Sequence, residues 1–299
     1  LHQDGKNTFT VTNLESETEY TFRIYPYTNA GSNIDYKTDG TVPEVTATTA
    51  AVQLFSIAQI QKTPDGQEGD SPLKDQVVTI EGVVTGVSSY SVFVQDADSV
   101  WSGVNVFGSD VASQVSMGDR IRVTGEVEEY SDKTEITNIS SFTILEQNVA
   151  LPDPIVVATG ELAQEKYEGV LVQVRNATCT NPDLGYNEWE VDDGSGPCRI
   201  DDLILKDFTP ELGQTYTITG VCDYSYSNFK IEPRTLEDIK IVTTAPVIML
   251  MGVNPRVPEA NQDFVDSVKV TDNGTLTVVE LRYKVNNGEM KSVNMSTVI

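Results

Sequence analysis

The segment from Met117 to Ile136, MGDRIRVTGEVEEYSDKTEI, is rewritten 95 positions later as LGQTYTITGVCDYSYSNFKI, from Leu212 to Ile231. Gly118 and Gly213, Thr124-Gly125 and Thr219-Gly220, and Ile136 and Ile231 stay in register between the two copies. A period of this size makes the chain a string of modules, each of roughly a hundred residues with its own core. The 299 residues divide on this basis into segments 1–50, 51–150, 151–243 and 244–299, with the repeat in the middle two.

Inside the repeat the hydrophobic pattern has period two, the mark of half-buried strands. In the first copy QVVTIEGVVTGVSS, SVFVQDAD, GVNVFGSD, RIRVTGEVEEY and KTEITN are expected strands, and VASQVSMGD is a short helical connector between the third and fourth. The second copy offers GVLVQVRNATC, EWEVDDGSG, CRIDDLI, a connector ending in PELGQ, TYTITGVCDY and NFKIEP. Five strands with one short helix between the third and fourth is the order of an OB-fold barrel. The recurring glycines suit such a barrel, because long strands must bend sharply where a Cβ would clash. A further two-turn helix is expected at LFSIAQIQ. The expected fold class is all-β: two tandem five-stranded OB-fold barrels between two half sandwiches.

The half sandwiches rest on their own motifs. Residues 1–50 contain FTVTNLESETEYTFRIYPYTNAGSN and a closing VPEVTATT, with Leu14, Thr18 and Tyr20 spaced as a tyrosine corner. This stretch resembles the C-terminal part of a fibronectin type III domain. Residues 244–299 contain VDSVKVTDNG and VVELRYKVNNG, two strands each followed by an Asn-Gly turn, and resemble the N-terminal part of an Ig-like domain of bacterial surface proteins. The run VTIEGVVTGVSSYSVFVQDAD through VSMGDRIRVTGEVEEYSDKTEI is similar to OB-fold modules that accompany secreted nucleases. The set resembles multidomain secreted proteins of Bacteroidetes-type bacteria. That resemblance implies an extracellular or cell-surface location. The chain opens on Leu1-His2 rather than Met, and is read as an interior piece of something longer.

Composition narrows the functional classes. Hydrophobic residues make up 39% and charged residues 22%, as in an ordinary globular protein, and no apolar run approaches the ~18 residues of a membrane span. The formal net charge is −25, which repels phosphate backbones. Residues 55–150 hold 5 Lys or Arg against 15 acids, and residues 151–243 hold 7 against 17, a net of −10 in each. Phosphate contacts supply most non-specific nucleic-acid affinity, so this balance argues against nucleic acid as a direct partner. Three cysteines, Cys179, Cys198 and Cys222, leave the pairing open.

The search for chemistry finds no catalytic set. His2 is the single histidine, and no Cys-x-x-Cys, P-loop or His-Glu-x-x-His pattern is present. Among the paired carboxylates, Asp192 and Asp193 in DDGSG are the candidates for a calcium ion, with no other cofactor expected. Aromatic residues that could stack against a base or a sugar are Tyr90, Phe93 and Trp101 in the first copy and Tyr186, Trp189, Tyr224 and Tyr226 in the second. Lys133 and Lys230 are the cations that could meet a phosphate. Phe93 and Trp189 alternate in register with inward apolar residues, which is the pattern of core packing.

The expected function is therefore a non-catalytic extracellular scaffold or assembly segment. Its partners would be neighbouring modules or other copies of the chain, joined by strand addition across an exposed edge. The alternative is an accessory region of a secreted nuclease or other hydrolase, binding single-stranded nucleic acid or a glycan.

Overall fold

A computed structural model describes residues 10–11, 14, 16–29, 31–36, 39–63, 69–243, 247–254, 257, 259–262, 265–271 and 278–295. His2, most of the FTVTN stretch at 9–13, and the Asn273-Gly274 turn lie outside these residues. Among the described residues the chain is almost entirely β, with two short α-helices, α1 (Ile57–Gln61) and α2 (Ser109–Ala112). No described helix is long and apolar enough to cross a membrane.

The segment 51–150 holds a closed barrel of β1 (Val77–Val87), β2 (Ser91–Gln95), β3 (Gly103–Phe107), β4 (Arg120–Tyr130) and β5 (Lys133–Glu146). Its ring order is β1-β2-β3-β5-β4, with β4 closing antiparallel on β1 and β3 running parallel to β5. Alternation decides which side chains face in: Ile80, Val94, Val104, Val106, Ile121, Val123, Val127 and Ile136 are fully buried. Each such aliphatic side chain contributes about 1.5–3 kcal/mol when removed from water. Ile57 and Ile60 of α1 and Val111 of α2 complete the same core. The helix α1 starts at a capping box, in which Ser56 and the Gln59 side chain satisfy each other's backbone groups.

The second repeat forms β6 (Leu171–Gly185), β7 (Glu188–Asp192), β8 (Pro197–Ile200), β9 (Thr215–Ser225) and β10 (Asn228–Glu232). The pairings β6–β7, β7–β8, β8–β10, β10–β9 and β9–β6 close a ring of the same connectivity. Short strands Ile155–Val156 and Ile239–Ile241 extend it beside β6 and β9. The two parallel joints match residue by residue: Val106 faces Ile136 in the first ring, and Ile200 faces Ile231 in the second.

Conserved geometry explains the repeated glycines. A Cβ at Gly125 would lie 2.6 Å from the Thr137 carbonyl oxygen, and one at Gly220 would lie 2.5 Å from that of Glu232. Both glycines sit where the fourth strand of a ring crosses closely over the fifth, so no side chain fits. The copies differ in their connectors. Residues 201–214 form no helix, whereas the first copy places α2 at the corresponding point. Phe208 of this connector instead packs against Trp189 and Tyr216 at ring-centroid distances of 5.6 and 5.9 Å. An aromatic plug there does the covering that α2 does for the first core.

The end segments form separate two-stranded pairs, Glu19–Arg23 with Glu44–Thr48 and Tyr27–Thr28 with Asp35–Tyr36 on one side. On the other, Val247–Asn254 pairs with Val265–Thr271, and Glu280–Tyr283 with Lys291–Asn294. The strand at Val247–Asn254 was not anticipated from the sequence, where its near-continuous apolar run shows no period of two.

Candidate functional site

Two places gather the chemistry-bearing residues: a seam between the rings and a cleft at one end of the second ring. The seam begins with two glycines. A Cβ on Gly103 would lie 2.1 Å from the Gly169 carbonyl carbon, so the two backbones touch directly. Beside this crossing Phe93 of β2, Leu171 of β6 and Val221 of β9 form a dry cluster with Leu203 and Ile204. Polar bonds surround it: the Leu171 N–H donates to the Gln95 side chain at 2.9 Å, the Trp101 N–H to the Lys166 carbonyl at 2.8 Å, and Arg234 to the Thr85 carbonyl at 3.2 Å.

Charge is buried in the seam as well. The Lys133 ammonium lies 2.9 Å from Glu135 on its own strand and 3.3 Å from Asp223 on the other ring. Burial disfavours its charge, but the two carboxylates outweigh burial and raise its pKa. Glu168 accepts the Thr134 N–H at 3.0 Å, and its burial, with Asp223 nearby, pushes its pKa well above the usual carboxylate range. Glu232 is buried in the second ring and is raised in the same way. None of these buried acids was singled out in the sequence, because a local pattern around them reads as ordinary alternation.

The candidate aromatics separate into groups. Phe93 is buried in the seam, and Trp101 is half-buried at its edge. Tyr90 is exposed on the first ring, 5.7 Å from Phe107. Tyr224 is half-buried against Phe229 at 4.8 Å. Trp189 lines the cleft of the second ring, and Lys230 bonds its lining residue Asp201. Lys133 and Lys230 are both committed to acids of the protein itself.

The cleft has a volume of about 60 Å³, with Trp189, Phe208 and Ile239 as its apolar lining and Asn187, Asp201, Asp202 and Lys206 as its polar lining. Tyr186 adjoins the lining residue Asn187. The Lys230 ammonium bonds Asp201 at 2.9 Å and Glu188 at 2.6 Å, and lies 5.5 Å from the centre of the Tyr226 ring. Tyr186 and Tyr226 are 95% and 89% exposed.

Their backbone positions are unusual. Tyr186-Asn187 and Tyr226-Ser227 are two-residue hairpin loops whose four φ values run from 51° to 65°. Loops of this kind favour Asn, Asp or Gly, which tolerate the left-handed region. A bulky side chain there costs about 1–2 kcal/mol. The first-ring loop that matches Tyr226-Ser227, Ser131-Asp132, carries small polar residues, whereas the one that matches Tyr186-Asn187, residues 88–90, ends in Tyr90.

Asp192 and Asp193 serve the turn they stand in. Asp192 accepts the N–H groups of Gly194 and Gly196 at 2.7 and 3.1 Å. Asp193 accepts the Thr159 hydroxyl at 2.8 Å and the Ser195 N–H at 3.0 Å, tying the loop to a distant segment. Among the described residues no group of three His, Cys, Asp or Glu is arranged to hold a metal. Burial opposes the Asp193 charge, but bonds from Ser195 and Thr159 outweigh it and lower the pKa from 3.8 to about 2. A depressed folded-state pKa stabilises above the unfolded value and is lost as pH falls toward the folded one. Asp193→Asn is thus expected to lose about 1–2 kcal/mol at neutral pH, with the gap to wild type closing between pH 3.8 and about 2. Urea unfolding across that range measures it.

The three cysteines are free and buried, and burial raises the thiol pKa of each. Such thiols pack as small apolar groups and react slowly. No protein-family model matches the chain, and no curated protein matches it in sequence.

Proposed function

We propose that the chain is a non-catalytic extracellular scaffold segment whose two OB-fold barrels act as one rigid spacer between a fibronectin-like and an Ig-like part. The observation that carries this reading is the seam. Covalently linked modules with mobile joints have small polar contacts, whereas here a backbone crossing at Gly103 and Gly169, a dry apolar cluster and a buried ion pair all bridge the rings. Such a joint sets a fixed direction between what is attached at either side.

The alternative of an accessory module guiding single-stranded nucleic acid draws less support. Its two nominated cations are neutralised internally, and two of its nominated rings, Phe93 and Trp189, are buried. The rigid-spacer reading is tested by spin labels on Asp110→Cys and Lys240→Cys in the full chain. The buried native thiols should escape labelling. A single narrow distance distribution is the expected result; a broad or multi-peaked one would refute the reading.

A further inference from the structure

We propose that the seam between the rings is a proton-gated latch, closed while Glu168 holds a proton and opened by its release. This latch rests on the rigid-spacer reading and adds what unlocks the joint. The seam carries a mismatch of buried charge. Glu168, Asp223 and Glu135 are 3%, 2% and 4% exposed, and the Lys133 ammonium is the cation that bonds this group. Ionised together, three carboxylates against one ammonium would be two charges short of balance in a place sealed from water, which desolvation strongly opposes. Lys133 bonds Glu135 at 2.9 Å and Asp223 at 3.3 Å, and Asn105 donates a further bond to Glu135 at 2.8 Å. Glu168 is held by neutral donors, the Thr134 N–H at 3.0 Å and the Gln61 side chain of α1. It is therefore the carboxyl for which neutralisation costs least.

Glu168 also stands where the seam is made. It precedes Gly169, the second-ring half of the backbone crossing, while its partner Thr134 belongs to β5 of the first ring. Parting the rings hands Glu168 to water, where it ionises as an ordinary carboxylate. The charged and titratable neighbours keep the same sign. Burial raises the pKa of Asp223 on β9, outweighing the pull of Lys133 and Lys230, and burial likewise raises Glu129 on β4 and the Cys222 thiol. Lys133, despite its burial, is raised by Asp223 and Glu135. A raised pKa in the closed state gives stability that is complete below the open-state value, about 4.3 for Glu, and is lost as pH rises through the closed-state value. With one proton linked, the ratio of open to closed seam rises up to about tenfold per pH unit across that interval.

The test follows the full chain carrying spin labels on Asp110→Cys and Lys240→Cys from about pH 5 to about pH 9. One narrow distance is expected at the acid end, joined by a broader population that grows as pH rises. Glu168→Gln keeps an acceptor for Thr134 without a titrating group, so its distance should stay narrow at every pH. A wild type that is narrow throughout would overturn the latch and leave the rigid spacer standing, whereas a broad distribution at every pH would overturn both. Opening that persists unchanged in Glu168→Gln would belong to another group and would also overturn the latch. Should that variant fail to fold, hydrogen exchange on the unmutated chain decides. The Leu171 and Trp101 amides cross the seam to the Gln95 side chain and the Lys166 carbonyl. After correction for intrinsic rates they should lose protection as pH rises, while the amides of Val123 and Ile218, paired inside the rings, keep theirs. Seam amides that stay protected, or that lose protection only together with the ring amides, would overturn the latch.

Discussion

Alanine at position 103 is expected to part the two barrels while leaving each folded. The new Cβ would lie 2.1, 2.2 and 2.5 Å from the carbonyl carbon and oxygen of Gly169 and the nitrogen of Val170, all backbone atoms. A flexible side chain could swing away from such a contact, but a backbone held by its own hydrogen bonds cannot. Gly169 is fixed from the other side, since its N–H donates to the Cys222 carbonyl at 2.7 Å and its φ is +71°. Overpacking of this kind costs about 1–3 kcal/mol, and more when only backbone can yield. The cheapest relief is to open the seam, which also exposes Phe93, Leu171 and Val221 and frees Lys133 from Asp223. Urea unfolding should change from one transition to two, with the seam destabilised by at least about 3 kcal/mol. Gly108→Ala is the control, because a Cβ there meets nothing closer than 3.9 Å. If Gly103→Ala unfolds in a single transition with wild-type stability, the crossing does not hold the rings together.

The strands of the repeat were legible because their information is local. Alternation of Val and Ile with polar residues marks β1 to β10, and the glycines at 125 and 220 announced the bend that the structure places at the strand crossing. A short helix was expected at LFSIAQIQ, where Ile57–Gln61 is helical, and at VASQVSMGD, where the helix falls earlier, at Ser109–Ala112. What escaped is non-local. Gly103 and Gly169 are 66 positions apart, and nothing beside either one says that they will touch. Glu168 and Glu232 look like surface acids in a chain of 45 acidic residues, yet tertiary packing buries both. Summed charge describes the chain as a whole, but it cannot tell that Lys133 and Lys230 are engaged by the protein's own acids. Tyrosine at a hairpin tip was a readable signal in GYNE and SYSN only once the loops were known to be two residues long.

Methionine at position 230 is expected to be among the most destabilising single substitutions in the second barrel. Lys230 is 1% exposed, with its ammonium between Glu188 at 2.6 Å and Asp201 at 2.9 Å. Removing one partner of a buried pair typically costs about 3–5 kcal/mol, because the remaining charge is left desolvated. Glu188 keeps Arg199 at 2.7 Å, so the larger share of the penalty falls on Asp201. In the wild type, burial opposes the Glu188 charge but Lys230 and Arg199 outweigh it and hold its pKa below the usual range. Without Lys230 the burial that opposes the Glu188 charge is met by Arg199 alone, and protonation of Glu188 becomes a way to recover stability. A folded-state pKa raised above the unfolded one gives stability that is present at low pH and is lost as pH rises. The deficit of Lys230→Met should therefore be largest at neutral pH and shrink as pH falls through the carboxylate range. Adding Glu188→Gln and Asp201→Asn should restore much of the loss at pH 7, since replacing every charge of a buried cluster removes the desolvation that made the single change harmful. Thermal unfolding at pH 7 and at about pH 4 separates the two outcomes, and a pH-independent deficit would mean that Lys230 acts through its packed stem rather than its charge.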